Sequence, residues 1–411
     1  MVTYPKDWST YTFDQMFQLY PNNTLSRDKL SEHGSIGNVH YGDVLIKYGA
    51  VLSSQDAIPR IKPEYESAAK CLLQENDVIV ADTAEDETVG KVVQIGDVSF
   101  PMAGGLHTIV CRPLVRTAAG YLGYYMNSKE YHDQLLPYIT GIKVSSISKT
   151  SIRKTELHIP SSADEQAAIV NVISNFDDSI ANLAELIEKK KAIRDGALED
   201  LVSGRTRLAG FDGKWTDTTI NAITKDVITG GTPSTSHPEY WGGKIPWLAS
   251  TEIHQKLIIR ETTGITELGL MNSSAKIAPA ESVLIALAGQ GKTRGTAAYL
   301  LRPMALNQSL AALVTDDDTS SKFLFFLMES LYLSLRELSS GDGGRGGLNK
   351  KLLKGVEIHI PSDLREQEAI AEALTNMDSE ILALEAEREK MIQICEGAMD
   401  DLLTGRVRLS I

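Results

Sequence analysis

Long apolar runs are missing from this 411-residue chain. No stretch approaches the ~18 residues that a membrane span needs. The opening MVTYPKDW carries neither the basic nor the apolar segment of an export signal. A cytoplasmic protein with no membrane partner is therefore expected. Cysteine is scarce, and Cys71, Cys111 and Cys395 are far apart and form no C-x-x-C pair. That excludes a disulfide framework and a thiolate metal centre, and fits a reducing compartment. His40, His107, His158, His237, His254 and His359 stand alone, without metal-ligand spacing. Positive charge is also short: the net charge of −13 argues, on its face, against nucleic acid as a partner.

What is present is a folded composition, 42% hydrophobic and 23% charged, on a chain too long for one ordinary core. The chain is also written twice. ELHIPSSADEQAAIVNVISNFDDSIANLAELIEKKKAIRDGALEDLVSGRTRL at 156–208 aligns without a gap to EIHIPSDLREQEAIAEALTNMDSEILALEAEREKMIQICEGAMDDLLTGRVRL at 357–409, with 24 of 53 positions identical. A shift this long marks a duplicated domain rather than a solenoid.

Each copy reads as one helix of about 40 residues, or ~60 Å at 1.5 Å per residue. Pro160 and Pro361 end the extended segments before it. Ser162-x-x-Glu165 and Asp363-x-x-Glu366 have the spacing of capping boxes. Gly204 and Gly405 supply left-handed stops. Apolar positions recur in steps of four and three: Ile169, Ile173, Phe176, Ile180 and Leu183 in the first copy, and Ile370, Leu374, Met377, Ile381 and Leu384 in the second. The spacing continues through Ile187, Lys190 and Arg194, and through Arg388, Met391 and Cys395. A 3.5-residue period over more than four heptads predicts a coiled coil. With both helices on one chain, the simplest pairing is intramolecular. The alternative is two separate amphipathic helices, each lying on its own domain.

The segments between the helices are related more weakly. Trp8 answers Trp215, FPMAGGLHTIVCRP answers RPMALNQSLAALVT, and SISKTSIRKTELHIP answers GLNKKLLKGVEIHIP. Both mix short β-rich runs with a few short helices, so the fold class is α+β. The expected boundaries are 1–158 and 209–359 for globular domains, and 159–208 and 360–411 for helices. The helical segments carry −12 of the net charge and the globular segments only −1. An acidic coil suits a protein partner. The globular parts can approach phosphates but are not basic enough to hold DNA alone against salt.

One stretch, ALAGQGKTRG from Ala286, has the spacing of a relaxed phosphate-binding loop and opens the possibility of an ATPase. Such a loop needs a helix to open directly after Lys-Thr. Here RGTAAYLLRP reaches Pro303 within ten residues, and the first-half counterpart, ADTAEDETVGK, has no Gly-Lys-Thr. A hairpin tip is the better expectation.

The tandem arrangement, the paired IPS…EQ-x-A-I starts, the (S/T)-G-R-x-R-L ends and GGTPSTSHPEYWGGKIPWLASTEI at 230–253 together resemble the specificity subunit of a type I restriction–modification system. The first half departs from the second: it lacks GGTPS and opens with TLSRDKLSEHGSIGNVHYGDVL, similar to a different subgroup of the same recognition domains. The resemblance implies a non-catalytic DNA reader with two tandem α/β target recognition domains. Its two long helices would form an antiparallel coil with pseudo-two-fold symmetry. The implied partners are double-stranded DNA with a bipartite site, two adenine-N6 methyltransferase subunits docked on the coil, and through them a restriction/translocase subunit. A ~60 Å helix could set two readers about one DNA turn, ~34 Å, apart. No cofactor is expected in this chain; S-adenosylmethionine belongs to the methyltransferase. The chain has no Asn/Asp-Pro-Pro-aromatic tetrapeptide to hold a flipped adenine and no F-x-G-x-G turn. A scaffold with lectin-like or peptide-binding heads is the third possibility.

Base edges are read by Arg, Lys, Asn, Gln and hydroxyl side chains, and phosphates by cations and amides. On expected loops these are Ser26, Arg27, Tyr41, Lys47, His107, Lys143, Ser145 and Ser146 in the first half. In the second half they are Thr232, Ser234, Thr235, Ser250, Thr251, Gln290, Lys292, Thr293, Arg294, Asn307, Gln308 and Arg345. Trp241, Trp247, His158 and His359 are expected to be structural.

Overall fold

The computed structural model describes residues 3–53, 55–97, 99–141, 143–261, 263–289, 291–338 and 347–410. Gln290 and Arg345 lie outside them. Contacts divide the chain into two units, Met1–Ala184 with Ala386–Ile411, and Glu185–Glu385. The long helices Ala163–Val202 and Leu364–Leu403 each span 40 residues, as their caps predict, and each gives part of its length to both units.

In the first unit, Trp8–Thr12 pairs antiparallel with Glu156–Pro160, Trp8 opposite Pro160. A five-stranded sheet follows, in the order Phe17–Tyr20, Thr108–Pro113, Val78–Ala81, Val92–Ile95, Val51–Leu52; its last pair alone is parallel. VIVA and VVQI are buried at every position; VIVA reads as an unbroken apolar run, and in VVQI the buried Gln94 bonds Asn76 and the Gly123 amide. One core holds Phe13, Tyr121, Tyr125, Tyr131 and Leu157. Another joins Val39, Tyr48, Ile79 and Val93 under a smaller sheet ordered Met102–Gly104, Gly37–Val39, Arg60–Ile61, Leu30–Ser31.

The second unit repeats this plan. Trp215–Thr219 pairs with Glu357–Pro361, Trp215 opposite Pro361. The five strands run Thr224–Thr229, Leu310–Thr315, Val283–Ala286, Ala297–Leu300, Leu257–Ile258, again with one parallel edge. The smaller sheet runs Thr263–Ile265, Trp241–Leu248, Met304–Leu306, Lys276–Ala278. The divergent TLSRDKLSEHGSIGNVHYGDVL therefore leads into the same kind of strand as GGTPSTSHPEYWGGKIPWLAS: Gly37–Val39 runs parallel to Met102–Gly104, which precedes Thr108–Pro113, and Trp241–Leu248 runs parallel to Met304–Leu306, which precedes Leu310–Thr315. The expected domain boundaries at 158/159 and 359/360 fall inside the strands Glu156–Pro160 and Glu357–Pro361.

Within each unit the start of one long helix lies beside the end of the other. Ile169 and Ile173 share a core with Cys395, Leu402 and Leu403, with Phe176, Ile180 and Met399 half-buried against it. Ile370, Ala371 and Leu374 share a core with Leu198, Leu201 and Val202, and Met377 packs on it. Toward mid-helix the expected seam weakens: Ile381 stays buried, Leu183 and Leu384 are half-buried, and Arg388 is exposed. Lys190 is no seam residue either, since its ammonium reaches Glu380 at 2.6 Å while Lys191 reaches Glu385 at 2.8 Å.

The helix starts correct a second expectation. Ser162 Oγ accepts the Glu165 amide at 3.4 Å, but Asp363 caps Arg365 instead. Neither glutamate reaches back to complete a capping box, because each is held by an arginine from the (S/T)-G-R-x-R-L end of the other helix. Arg207 grips Glu366 through two bonds of 2.6 and 2.7 Å, and Arg408 grips Glu165 and Asp7. Both glutamates are buried, where an unpaired carboxylate would be costly. The adjacent glutamines tie each helix to its sheet: Gln166 donates to the Pro160 carbonyl and accepts the Ala118 amide, and Gln367 does the same with Pro361 and Ser320. Gly204 and Gly405 stop the helices at φ 73° and 71°, each against a tryptophan ring, Trp215 and Trp8.

Candidate nucleic-acid interface

Strand register gathers the candidate loops at one end of the sheets in each unit. In the first, Tyr20 lies opposite Val110, Ala81 opposite Thr108, and Val39 opposite Gly104. The segments that follow Tyr20, Val39, Ala81 and Gly104 therefore leave from a common edge. In the second, Thr229 lies opposite Ala311, Ala286 opposite Leu310, and Leu248 opposite Leu306. The GGTPSTS loop, the Ser250–Gln255 turn, the tip after Ala286 and Asn307–Ser309 share the equivalent edge.

In the first unit this edge brings together Arg27, Tyr41, His107, Ser145 and Ser146. One Arg27 nitrogen lies 2.9 and 3.1 Å from the two Asp43 oxygens. Tyr41 meets the His107 ring edge-on at 5.2 Å. Ser145–Ser146 pairs with Thr83–Ala84, beside Asp82. His40 caps the helix Tyr41–Ile46 by accepting the Gly42 amide at 3.3 Å. Burial, then the nearby Arg27 charge, pushes the His40 pKa below its usual 6.5. Ser26 is turned to Asp28, which also pairs with Lys29. Lys47 is turned to the Ala57 carbonyl and the Tyr48 ring, and Lys143 is exposed. His40, Asp82 and Thr83 were missed. Their signal was position: polar residues directly after the runs GNV and VIVA.

In the second unit the GGTPSTS loop crosses the Leu306 backbone. A Cβ on Gly230 would lie 1.7 Å from the Leu306 oxygen, so only glycine permits the crossing. Thr232 Oγ1 donates to Gln308 at 2.6 Å, Ser234 bonds Ser236, and Thr235 is exposed. Ser250 and Thr251 open the Ser250–Gln255 turn, from which His254, also missed, reaches Thr293 Oγ1 at 3.1 Å. Lys292 is exposed and Arg294 half-buried. Asn307 is buried, its side chain accepting the Ser309 amide at 3.0 Å, so it shapes the loop rather than facing outward. Trp247 is buried with its indole nitrogen on the Gly231 carbonyl, Trp241 packs edge-on against it, and His158 bonds Thr10, as structural side chains should. His359 is instead exposed and bonds Asp217.

Among its described residues the tip lacks the strand-then-helix geometry of a nucleotide loop. Val283–Ala286 returns as the antiparallel strand Ala297–Leu300, and no helix opens at Lys292–Thr293. Among the described residues no cluster of His, Cys, Asp and Glu could hold a metal, and no helix is long and apolar enough to cross a membrane.

The family description for the type I restriction modification DNA specificity domain matches residues 5–191 and again 213–393. The chain belongs to that family. A putative type I restriction enzyme MjaX specificity subunit from Methanocaldococcus jannaschii is 23% identical over 84% of this chain and 81% of its own length. The EcoR124I/EcoR124II specificity subunit of Escherichia coli is 28% identical, and the match covers 57% of each chain. Among solved structures, the S subunit from M. genitalium superposes with a TM-score of 0.58 at 16% identity, covering 98% of this chain and 96% of that one. A chain from work on complex assembly and conformational transition of the type I restriction–modification system reaches 0.64, also at 16%, over 99% and 100%. These structures share the fold. The two matched segments coincide with the two copies found in the sequence, so this specificity-domain chain carries its recognition module twice.

Proposed function

We propose that the chain reads a bipartite DNA sequence, one half per unit, as the non-catalytic specificity subunit of a type I restriction–modification complex. The observation that carries this reading is the shared sheet edge: two copies of one topology send unlike loops outward from the same place, which is what a pair of readers for different sequences requires. The hydroxyl, amide and imidazole groups there suit base edges, while the near-neutral charge of the globular segments leaves phosphate binding to be shared with other subunits.

The two long helices form an antiparallel intramolecular coil in this reading, supported by the pairing of starts with ends inside each unit. Their acidic faces dock two adenine-N6 methyltransferase subunits, which bring S-adenosylmethionine and in turn bind the restriction/translocase subunit. The test is co-expression with an adenine methyltransferase subunit in a host without other adenine modification, followed by sequencing of modified bases. One split motif with a modified adenine on each strand is expected. A contiguous motif, or none, overturns the reading.

A further inference from the structure

Resting on the DNA-reading function above, we propose that His107 reads a base edge for the first unit, fixed by Asp82 and Thr83 as an acceptor for an amino-bearing base, cytosine through N4 or adenine through N6.

His107 sits between Met102–Gly104 and Thr108–Pro113, at the edge where the candidate loops gather, and its ring is 46% exposed. Its backbone adopts φ 55°, a left-handed conformation uncommon for a residue with a bulky side chain. Its carbonyl accepts the Asp82 amide at 3.1 Å, and the Leu106 carbonyl accepts the Tyr41 amide. The short loop is thus pinned on both sides, and the Tyr41 ring braces the imidazole at 81°.

Hydrogen-bond bookkeeping then assigns the ring. His107 Nδ1 lies 3.4 Å from Asp82 Oδ1 and 3.2 Å from Thr83 Oγ1. The Thr83 hydroxyl donates its own proton to Asp82 Oδ1 at 2.8 Å, so its oxygen is left to accept. Nδ1 therefore faces two acceptors, so in the neutral imidazole it is the nitrogen that carries the proton and Nε2 is the acceptor. In the major groove only cytosine and adenine present amino donors; guanine and thymine present acceptors instead. An acceptor held at the edge discriminates between these classes.

The duplicated frame adds a prediction about location. FPMAGGLHTIV at 100–110 aligns with RPMALNQSLAA at 302–312 so that His107 corresponds to Ser309, and the second unit has no imidazole at this point. Only the half-site read by the first unit should depend on His107.

The test uses the full chain co-expressed with the methyltransferase subunit, comparing wild type, His107→Ala and His107→Lys by the modified motif and by thermal melting. His107→Ala should relax one position of one half-site, losing about tenfold in discrimination, the scale of one well-made hydrogen bond, while the other half-site is kept. His107→Lys, a donor only, should exchange the preferred base at that position for guanine or thymine on the same strand. An unchanged position in both variants overturns the proposal. So does loss of both half-sites together with a lowered melting temperature, which would make His107 a structural residue. Failure of the wild type to give any split motif would instead overturn the DNA-reading function itself.

Discussion

Buried charges at the ends of the long helices decide more than their exposed neighbours do. Glu366 is fully buried and held by Arg207, whereas Arg205 pairs with Glu199 and Asp200 at the surface. Arg207→Ala should lower unfolding stability by about 3 kcal/mol, since it strands a buried carboxylate. Arg205→Ala should cost less than about 1 kcal/mol. Denaturant titration of the two variants separates these outcomes. His40 gives a pH signature. Its folded-state pKa is depressed by burial and then by Arg27, so its contribution is complete above its unfolded value near 6.5 and is lost as the pH falls toward the lower folded value. The melting temperature should therefore drop more steeply from pH 7 to 5.5 in the wild type than in His40→Asn. The spacing of Glu165 and Glu366 predicted capping boxes, and the structure gave those carboxylates to Arg408 and Arg207 instead. Local spacing offers both options, and only the arrival of a guanidinium from the end of the other long helix selects between them.

The long helices were legible as elements because a 3.5-residue period over more than four heptads, bounded by start and stop signals, is helical whichever way the helices pair. Their seam was legible at the ends, where Ile173 and Leu374 are fully buried, and less so in the middle, where Arg388 is exposed. Ile173→Ala should destabilise by about 2–5 kcal/mol through lost burial and a residual cavity, while Leu382→Ala, at a position 60% exposed, should stay within about 0.5 kcal/mol. Thermal melting checks the pair. Strand order was not legible in the same way. The apolar runs of the central sheets identify strands but not neighbours, because pairing partners such as Val78–Ala81 and Thr108–Pro113 are distant in sequence. The Gly-Lys-Thr stretch shows the limit of a short motif: the return strand Ala297–Leu300 takes the place a phosphate-binding helix would need. Lys292→Ala should accordingly leave ATP hydrolysis by the pure chain at background, which a coupled phosphate assay would read.

At the scale of the whole chain, the duplication predicts modular specificity. Exchanging residues 13–155 for those of a relative should change one half of the modified motif and leave the other, as base-modification sequencing would show. Replacing Ile381 and Leu384 together with Asp should reduce helicity by circular dichroism and abolish co-purification with the methyltransferase. Sequence alone determined the two copies, the two helices and the family, because each rests on a repeat or a period that survives divergence of the exposed residues. Tertiary structure decided which side chains work together. Tyr41, Asp82 and His107 are far apart along the chain, and Asn307, which has the chemistry of a reader, is buried and holds its own loop. Base-edge chemistry is a property of loops, and what brings those loops to one edge is strand register, a long-range pairing that no local pattern encodes.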